Sequence, residues 1–407
     1  MQKTRPLTRL KSFFATQRGA LFGLWAAYFL YWASLAPFIP YLSLFYESVG
    51  LTGAQIGQLG FIRSIVSFFS ALTIAFLSDV FRRRKRILTA CVFGMIALLL
   101  VFPRMASFAT LLPVVALYSV FLAPTISILD EDTLRTLDNP RDYGMVRMGG
   151  SIGWGILVFA GGAILDIPGV PLTAMFWIHI FFLGLMLPLI ALLPESNAKL
   201  ADGEKASLKD VGRLLRHPGF MVWLGVLFVS GLTSSSIINF IALHIKGLGG
   251  SATLVGLAMA VNVMGEIVGL AIAKRLQGRV GSRRMMVLCF LLRGFWFVGL
   301  GLVPSAWWIL PVHAVGGFSY ALIQAGSVAY VNERAPRRIG TTAQAVRGAV
   351  LIRLSTAAGA LFSGALFEGV GSARMYVIMG LISWATFVLA LAFRSYERRR
   401  EAAQKAA

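Results

Sequence analysis

The sequence predicts an all-α integral membrane fold of twelve transmembrane helices in two pseudo-symmetric six-helix bundles. Three observations point there. Of 407 residues, 57% are hydrophobic and 14% charged, whereas a soluble domain carries about 25% charged residues. The apolar residues gather into runs near the roughly 20 residues needed to cross a bilayer. The second half of the chain repeats landmarks of the first.

Residues 1–19 hold Lys3, Arg5, Arg9, Lys11 and Arg18 and no acid. A presequence would share that composition, but the apolar run that follows is far longer than a signal-peptide core of about 7–15 residues. The segment therefore reads as a cytoplasmic tail. The first half, 20–193, contains runs at 20–46, 53–77, 87–103, 108–134, 144–165 and 173–193. Pro37, Pro40 and Pro124 predict breaks or bends in the first and fourth. Residues 194–217 are the one long polar stretch inside the chain and read as a cytoplasmic linker. The second half, 218–393, contains runs at 218–245, 252–274, 285–303, 307–331, 341–367 and 375–393, and 394–407 form a basic C-terminal tail.

The formal charge of +21 would suggest nucleic acid in a soluble protein. Here the positions decide otherwise. Thirty-two Lys and Arg fall in the two tails, the loops and the adjoining span ends on one side (Arg147, Lys274 and Arg347 at span ends), against Arg104, Lys246 and Arg374 on the other. The positive-inside rule then places both termini in the cytoplasm of a cell membrane, a bacterial inner membrane being the expected setting. The bilayer is thus the partner of these charges, with no role for nucleic acid. Three arginines remain deep inside spans, away from their ends: Arg63, Arg293 and Arg353. The two cysteines, Cys91 and Cys289, lie in apolar runs, which excludes a disulfide framework and a cysteine metal site.

The repeat is visible in the turns. Gly50–Gly57 aligns with Gly249–Gly256 at an offset of 199, which also carries Arg84-Lys85 onto Arg283-Arg284. Pro140–Gly144 aligns with Pro336–Gly340 at an offset of 196. Each half makes six crossings, so the halves share one orientation. Parallel repeats of this kind build transporters with the site near the midplane.

After the second span the chain reads Leu77-Ser78-Asp79-Val80-Phe81-Arg82-Arg83-Arg84-Lys85-Arg86. This resembles the loop signature of the major facilitator superfamily, usually G-x-L-A-D-R-x-G-R-R. Ala75 replaces its first Gly, Val80 its basic sixth residue and Arg82 its second Gly; Gly278 stands for Asp79 in the second copy. The stretch Asp142-Tyr143-Gly144-Met145-Val146-Arg147-Met148-Gly149-Gly150-Ser151 is similar to the D-Y-G-x-V-R-x-W-G-S segment of the branch that includes phenylpropionate permeases and is related to lactose permease. Gly149 stands where that branch has Trp. Pro124 and Asp130 match its fourth-helix pattern, and Glu266, Arg293 and His313 fall on its eighth, ninth and tenth helices. The resemblance implies a transporter of two helical halves. It leaves the substrate open.

The residues add a chemistry of their own. A charge at the centre of a span costs about 2.5–3.5 kcal/mol on insertion scales, so such groups face the protein interior and usually act there. Glu266 is the acid at midplane depth and the expected proton-exchanging group. It would pair with Arg293 in one state, with His313 as tuner or relay. The alternatives are a static ion pair and a histidine that only packs helices. Arg63 and Arg353, on one helix of each half, can together hold an anion by charge-assisted hydrogen bonds; the alternative is pairing with acids of the fourth span or with carbonyls. The repeat carries Arg63 onto Asn262, one turn from Glu266. Tyr28, Trp32 and Trp154 can wall a ligand, and Asn262, Tyr320 and Gln324 can hydrogen-bond to it, although aromatic stripes in spans mostly pack helices. Gate roles fall to Asp79, Arg84, Asp130 and Arg147, with Glu131 pairing with Arg135 and Asp130 facing Arg147. The basic run itself also serves topology.

No G-x-x-x-x-G-K-[ST], H-E-x-x-H or G-x-S-x-G is present, so neither an enzyme nor an ATP-driven pump is expected, and no cofactor is called for. The favoured expectation is a monomeric secondary transporter that moves a small organic anion, such as an aromatic carboxylate, together with protons. A sugar or nucleoside symporter and a proton-antiport drug efflux pump are the alternatives.

Overall fold

The computed structural model describes residues 12–81, 83–139, 142–194, 216, 218–334 and 340–406. Every element among them is helical. In order these are α1 (Gln17–Leu35), α2 (Leu42–Ser48), α3 (Gly53–Phe81), α4 (Arg84–Val101), α5 (Phe108–Thr136), α6 (Tyr143–Leu165), α7 (Ala174–Leu192), α8 (Pro218–Gly247), α9 (Ala252–Val280), α10 (Ser282–Leu302), α11 (Ile309–Arg334), α12 (Gly340–Gly348) and α13 (Ser355–Ala406). The linker at 194–217 lies almost wholly outside the described residues.

Local sequence explains the helix starts. Thr16 caps α1 by accepting from the Gly19 amide at 3.1 Å, and Ser251 caps α9 through the Leu254 amide at 3.3 Å. Ser107 and Thr110 form a reciprocal capping box at the start of α5. Gly371, at φ +78°, breaks α13 into two helices, because only glycine enters that backbone region without strain. Between α12 and α13 the stretch Ala349–Leu354 is π-helical and carries Arg353.

Ten stretches among the described residues are long and apolar enough to cross a membrane. The last of them, Val346–Ser395, contains both arms of the kinked α13. Large apolar side chains such as Phe22, Phe93, Trp177, Ile267 and Leu389 are exposed. A lipid-facing surface does this, and a water-facing one rarely does. The protein is a multi-pass membrane protein.

The chain divides into two compact units. The first comprises Met1–Leu51 and Ile62–Gly203, the second Thr52–Phe61 and Glu204–Ala407. The opening turns of α3 therefore belong with the second unit, whereas the sequence places them in the first half. Glycine explains the attachment: a Cβ on Gly57 would overlap the Ala360 carbonyl and approach Gly364. Glu368 accepts a hydrogen bond from the Ala54 amide at 2.7 Å.

Within each unit a glycine lets two helices touch along their backbones. In the first, a Cβ on Gly153 of α6 would overlap the Phe29 carbonyl of α1. In the second, a Cβ on Gly359 of α13 would overlap the Leu232 carbonyl of α8. Small residues allow such approach where apolar burial gives helices no drive to associate in lipid.

Candidate transport site

The second unit places a polar cluster among α8, α9, α10 and α11. Arg293 of α10 is fully buried. One of its terminal nitrogens donates to the Ser230 carbonyl at 3.0 Å, the Thr233 hydroxyl at 3.1 Å and the Ser234 hydroxyl at 2.7 Å. Its Nε and other terminal nitrogen have no oxygen partner, and the neutral Cys289 thiol, one turn earlier on α10, lies against the guanidinium. The guanidinium also lies over the rings of Trp296 and Phe297, at 5.5 and 5.4 Å from their centroids. Every hydrogen-bond partner of this cation is neutral. The expected Glu266–Arg293 pair is not formed here: the Ser and Thr oxygens on α8 take the place of the carboxylate.

Trp296 leads on to His313. Its indole N–H donates to His313 Nδ1 at 3.3 Å, so in the neutral ring the proton sits on Nε2. That Nε2 is buried and without a partner. Asn262 of α9 donates to the His313 carbonyl at 3.1 Å and sits one turn from Glu266. The two helices meet closely enough that a Cβ on Gly317 would strike the Asn262 carbonyl and the Glu266 amide. Tyr320 of α11 lies within electrostatic reach of Glu266, Arg293 and Arg347 at once. Gln324 donates to the Tyr320 hydroxyl at 2.8 Å and accepts from Arg347 at 3.2 Å. Arg347 also donates to Ser327 at 3.0 Å and, with Gln324, Gln277, Asn332 and Glu333, lines a cavity of about 720 Å³.

The first unit has its own polar cluster. Arg63 of α3 is half-buried, with the phenols of Tyr46 and Tyr118 in electrostatic reach. The Tyr118 hydroxyl and His179 Nε2 share a hydrogen bond at 2.8 Å, both residues being buried. Further along α5, Asp130 accepts from the hydroxyls of Tyr28 at 2.5 Å and Tyr143 at 2.6 Å. Glu131 pairs with both Arg84 and Arg135 at 2.7 Å. Trp32 and Trp154 meet edge to face with centroids 5.8 Å apart.

The model of the MFS_1 like family matches residues 21–378. The chain belongs to this family. It is similar to a maltose permease of Geobacillus stearothermophilus, 24% identical over 388 residues that cover 94% of this chain and 96% of the relative. It is similar to a probable 3-phenylpropionic acid transporter of Escherichia coli (strain K12), 25% identical over 375 residues that cover 86% and 92%. A crystal structure of the nucleoside transporter NupG superposes with a TM-score of 0.81 at 14% identity, covering 92% of this chain and 98% of that one. This MFS_1 like protein therefore has the major facilitator fold. The family and the relatives that match it are transporters of small molecules, not enzymes.

Several residues stand differently from their expected roles. Tyr28 is buried and bonded to Asp130, so it braces α1 against α5 and does not wall a ligand here. Asp130 faces two phenols in place of Arg147. Arg347 belongs to the polar cluster and not to a loop; the signal was its place inside the predicted run 341–367. Arg353 is half-buried. The side chain of Asp79 lies outside the described residues. Sequence reasoning missed Tyr46, Tyr118 and His179, although a histidine in the middle of the run 173–193 was a visible cue.

Proposed function

We propose that this protein is a secondary active transporter that carries a small organic anion, such as an aromatic carboxylate, together with protons. The carrying observation is Arg293, a fully buried cation with only neutral hydrogen-bond partners and two nitrogens that no oxygen accepts from. An unpaired buried charge is costly, and the anion that relieves it is the substrate carboxylate or, in another state, Glu266. Arg cannot give up its proton at any working pH. Proton coupling therefore falls to Glu266, which shares Tyr320 as a neighbour with Arg293 and can be relayed through His313. Arg63 and Arg353 are the further anion-holding groups of this reading, with Trp32, Trp154, Asn262, Tyr320 and Gln324 contacting the rest of the ligand. Asp79, Arg84, Asp130 and Arg147 would serve the gates, the protein acting as a monomer.

The test is uptake of labelled 3-phenylpropionate, maltose and a nucleoside into proteoliposomes, with and without an imposed proton gradient. Gradient-driven accumulation of the carboxylate, and of neither neutral solute, is expected. Accumulation of maltose or the nucleoside instead would replace the anion reading with the neutral-solute one. No effect of the gradient would remove the coupling.

A further inference from the structure

Five arginines of the second unit converge on one concavity. Arg279 stands at the end of α9, Arg283 and Arg284 in the first turn of α10, Arg334 at the end of α11 and Arg394 far along α13. Together with Gly281, Ser282 and Glu333 they line a cavity of about 480 Å³. Orientation of a membrane protein needs basic residues on one side; it does not need them from four helices gathered around one hollow.

The one acid among the described lining residues is tied up structurally. Glu333 accepts from the buried Ser282 hydroxyl at 2.6 Å, which fixes the start of α10 to the end of α11. Against it stand five fixed positive charges, and each guanidinium is a planar fork suited to two phosphate oxygens. Arg283 is held over the Tyr330 ring, 5.8 Å from its centroid, so one fork is positioned in advance. Gly281, at φ +81°, turns the chain directly into α10, whose first turn has no side-chain cap. Its amides add positive potential at the same spot.

The surroundings identify the source of the phosphate. Three residues before Arg394, Leu391 is exposed, and so on α9 is Ile272, two turns before Arg279. The basic hollow thus borders an exposed apolar surface on the same helices. A free anion has no use for that border, whereas a phospholipid places its phosphate in the hollow and its acyl chains along that apolar surface. We propose that this hollow is a binding site for the headgroup of an anionic phospholipid, and that it takes phosphatidylglycerol-type lipids in preference to zwitterionic ones.

Native mass spectrometry of the full-length protein, titrated with phosphatidylglycerol or phosphatidylcholine, tests this. At least fivefold more phosphatidylglycerol than phosphatidylcholine should be retained by the native protein. R279Q/R284Q should lose that preference, while R399Q/R400Q, which removes the same charge from the C-terminal tail, should keep it. Unaltered melting of R279Q/R284Q in phosphatidylcholine verifies its fold; if it melts lower, R394Q is measured in its place against the same criterion. Equal loss in the hollow and tail variants would reduce the effect to diffuse charge and overturn the site. Equal retention of both lipids would overturn it too. Displacement of the lipid by millimolar inorganic phosphate would reassign the hollow to a soluble anion.

Discussion

The role proposed for Arg293 sets stability against transport. A fully buried cation with no carboxylate beside it is a cost to the fold, and a well-packed apolar side chain of similar length removes that cost. Arg293→Met is therefore expected to melt at or above the native temperature while substrate uptake falls by about a hundredfold, equivalent to about 2.7 kcal/mol of lost stabilisation. A parallel loss of melting temperature and uptake would make Arg293 a structural residue. Glu266→Gln separates coupling from binding: accumulation against a gradient should vanish while exchange of labelled for unlabelled substrate continues. At this scale the sequence was legible for residue type and depth. Arg63, Glu266 and Arg293 were found because charges in apolar runs are conspicuous. Their partners were hidden, because hydropathy does not report how a helix is rotated about its axis. Tyr28 and Asp130 are 102 positions apart, and nothing local to either residue indicates the other.

Among the helices, glycines and one carboxylate set the tolerances. Gly153 faces the Phe29 backbone, while Gly155 has open space where a Cβ would stand. Gly153→Ala should lower thermal stability by about 1–3 kcal/mol, since a backbone carbonyl cannot move aside as a side chain can. Gly155→Ala should leave it unchanged or slightly higher, and equal effects of the two would show that the α1–α6 approach does not depend on the missing Cβ. Glu131 joins α4 and α5 by holding Arg84 and Arg135 together. Glu131→Gln weakens both pairs at once, and a thermal melt should show a loss of about 1–3 kcal/mol. The pairing of Glu131 with Arg135 was legible from their i,i+4 spacing. The share taken by Arg84 was not, since it comes from another helix.

For the whole molecule, the all-helical membrane class was legible because it depends on run length and composition alone. The assignment of 52–61 was not, because those residues continue a span of the first half in sequence and join the second unit through contacts at Gly53, Ala54, Gly57 and Gly60 that nothing local announces. Thirty-two positive charges on one side predict that tags placed at residues 2 and 406 are accessible from the same face of sealed vesicles. Protection of one tag and exposure of the other would demand an odd number of crossings.

The π-helical stretch at Ala349–Leu354 has a consequence for how this chain tolerates changes of length. A turn closed from i to i+5 accommodates one residue more than an α-turn does, and leaves the helix beyond it in phase. Removing one residue there should heal the stretch into ordinary α-helix and leave Gly359 facing Leu232. Removing one residue a few positions later, inside α13, would swing everything beyond it by about 100°. The segment that carries Arg353 therefore acts as slack in the chain.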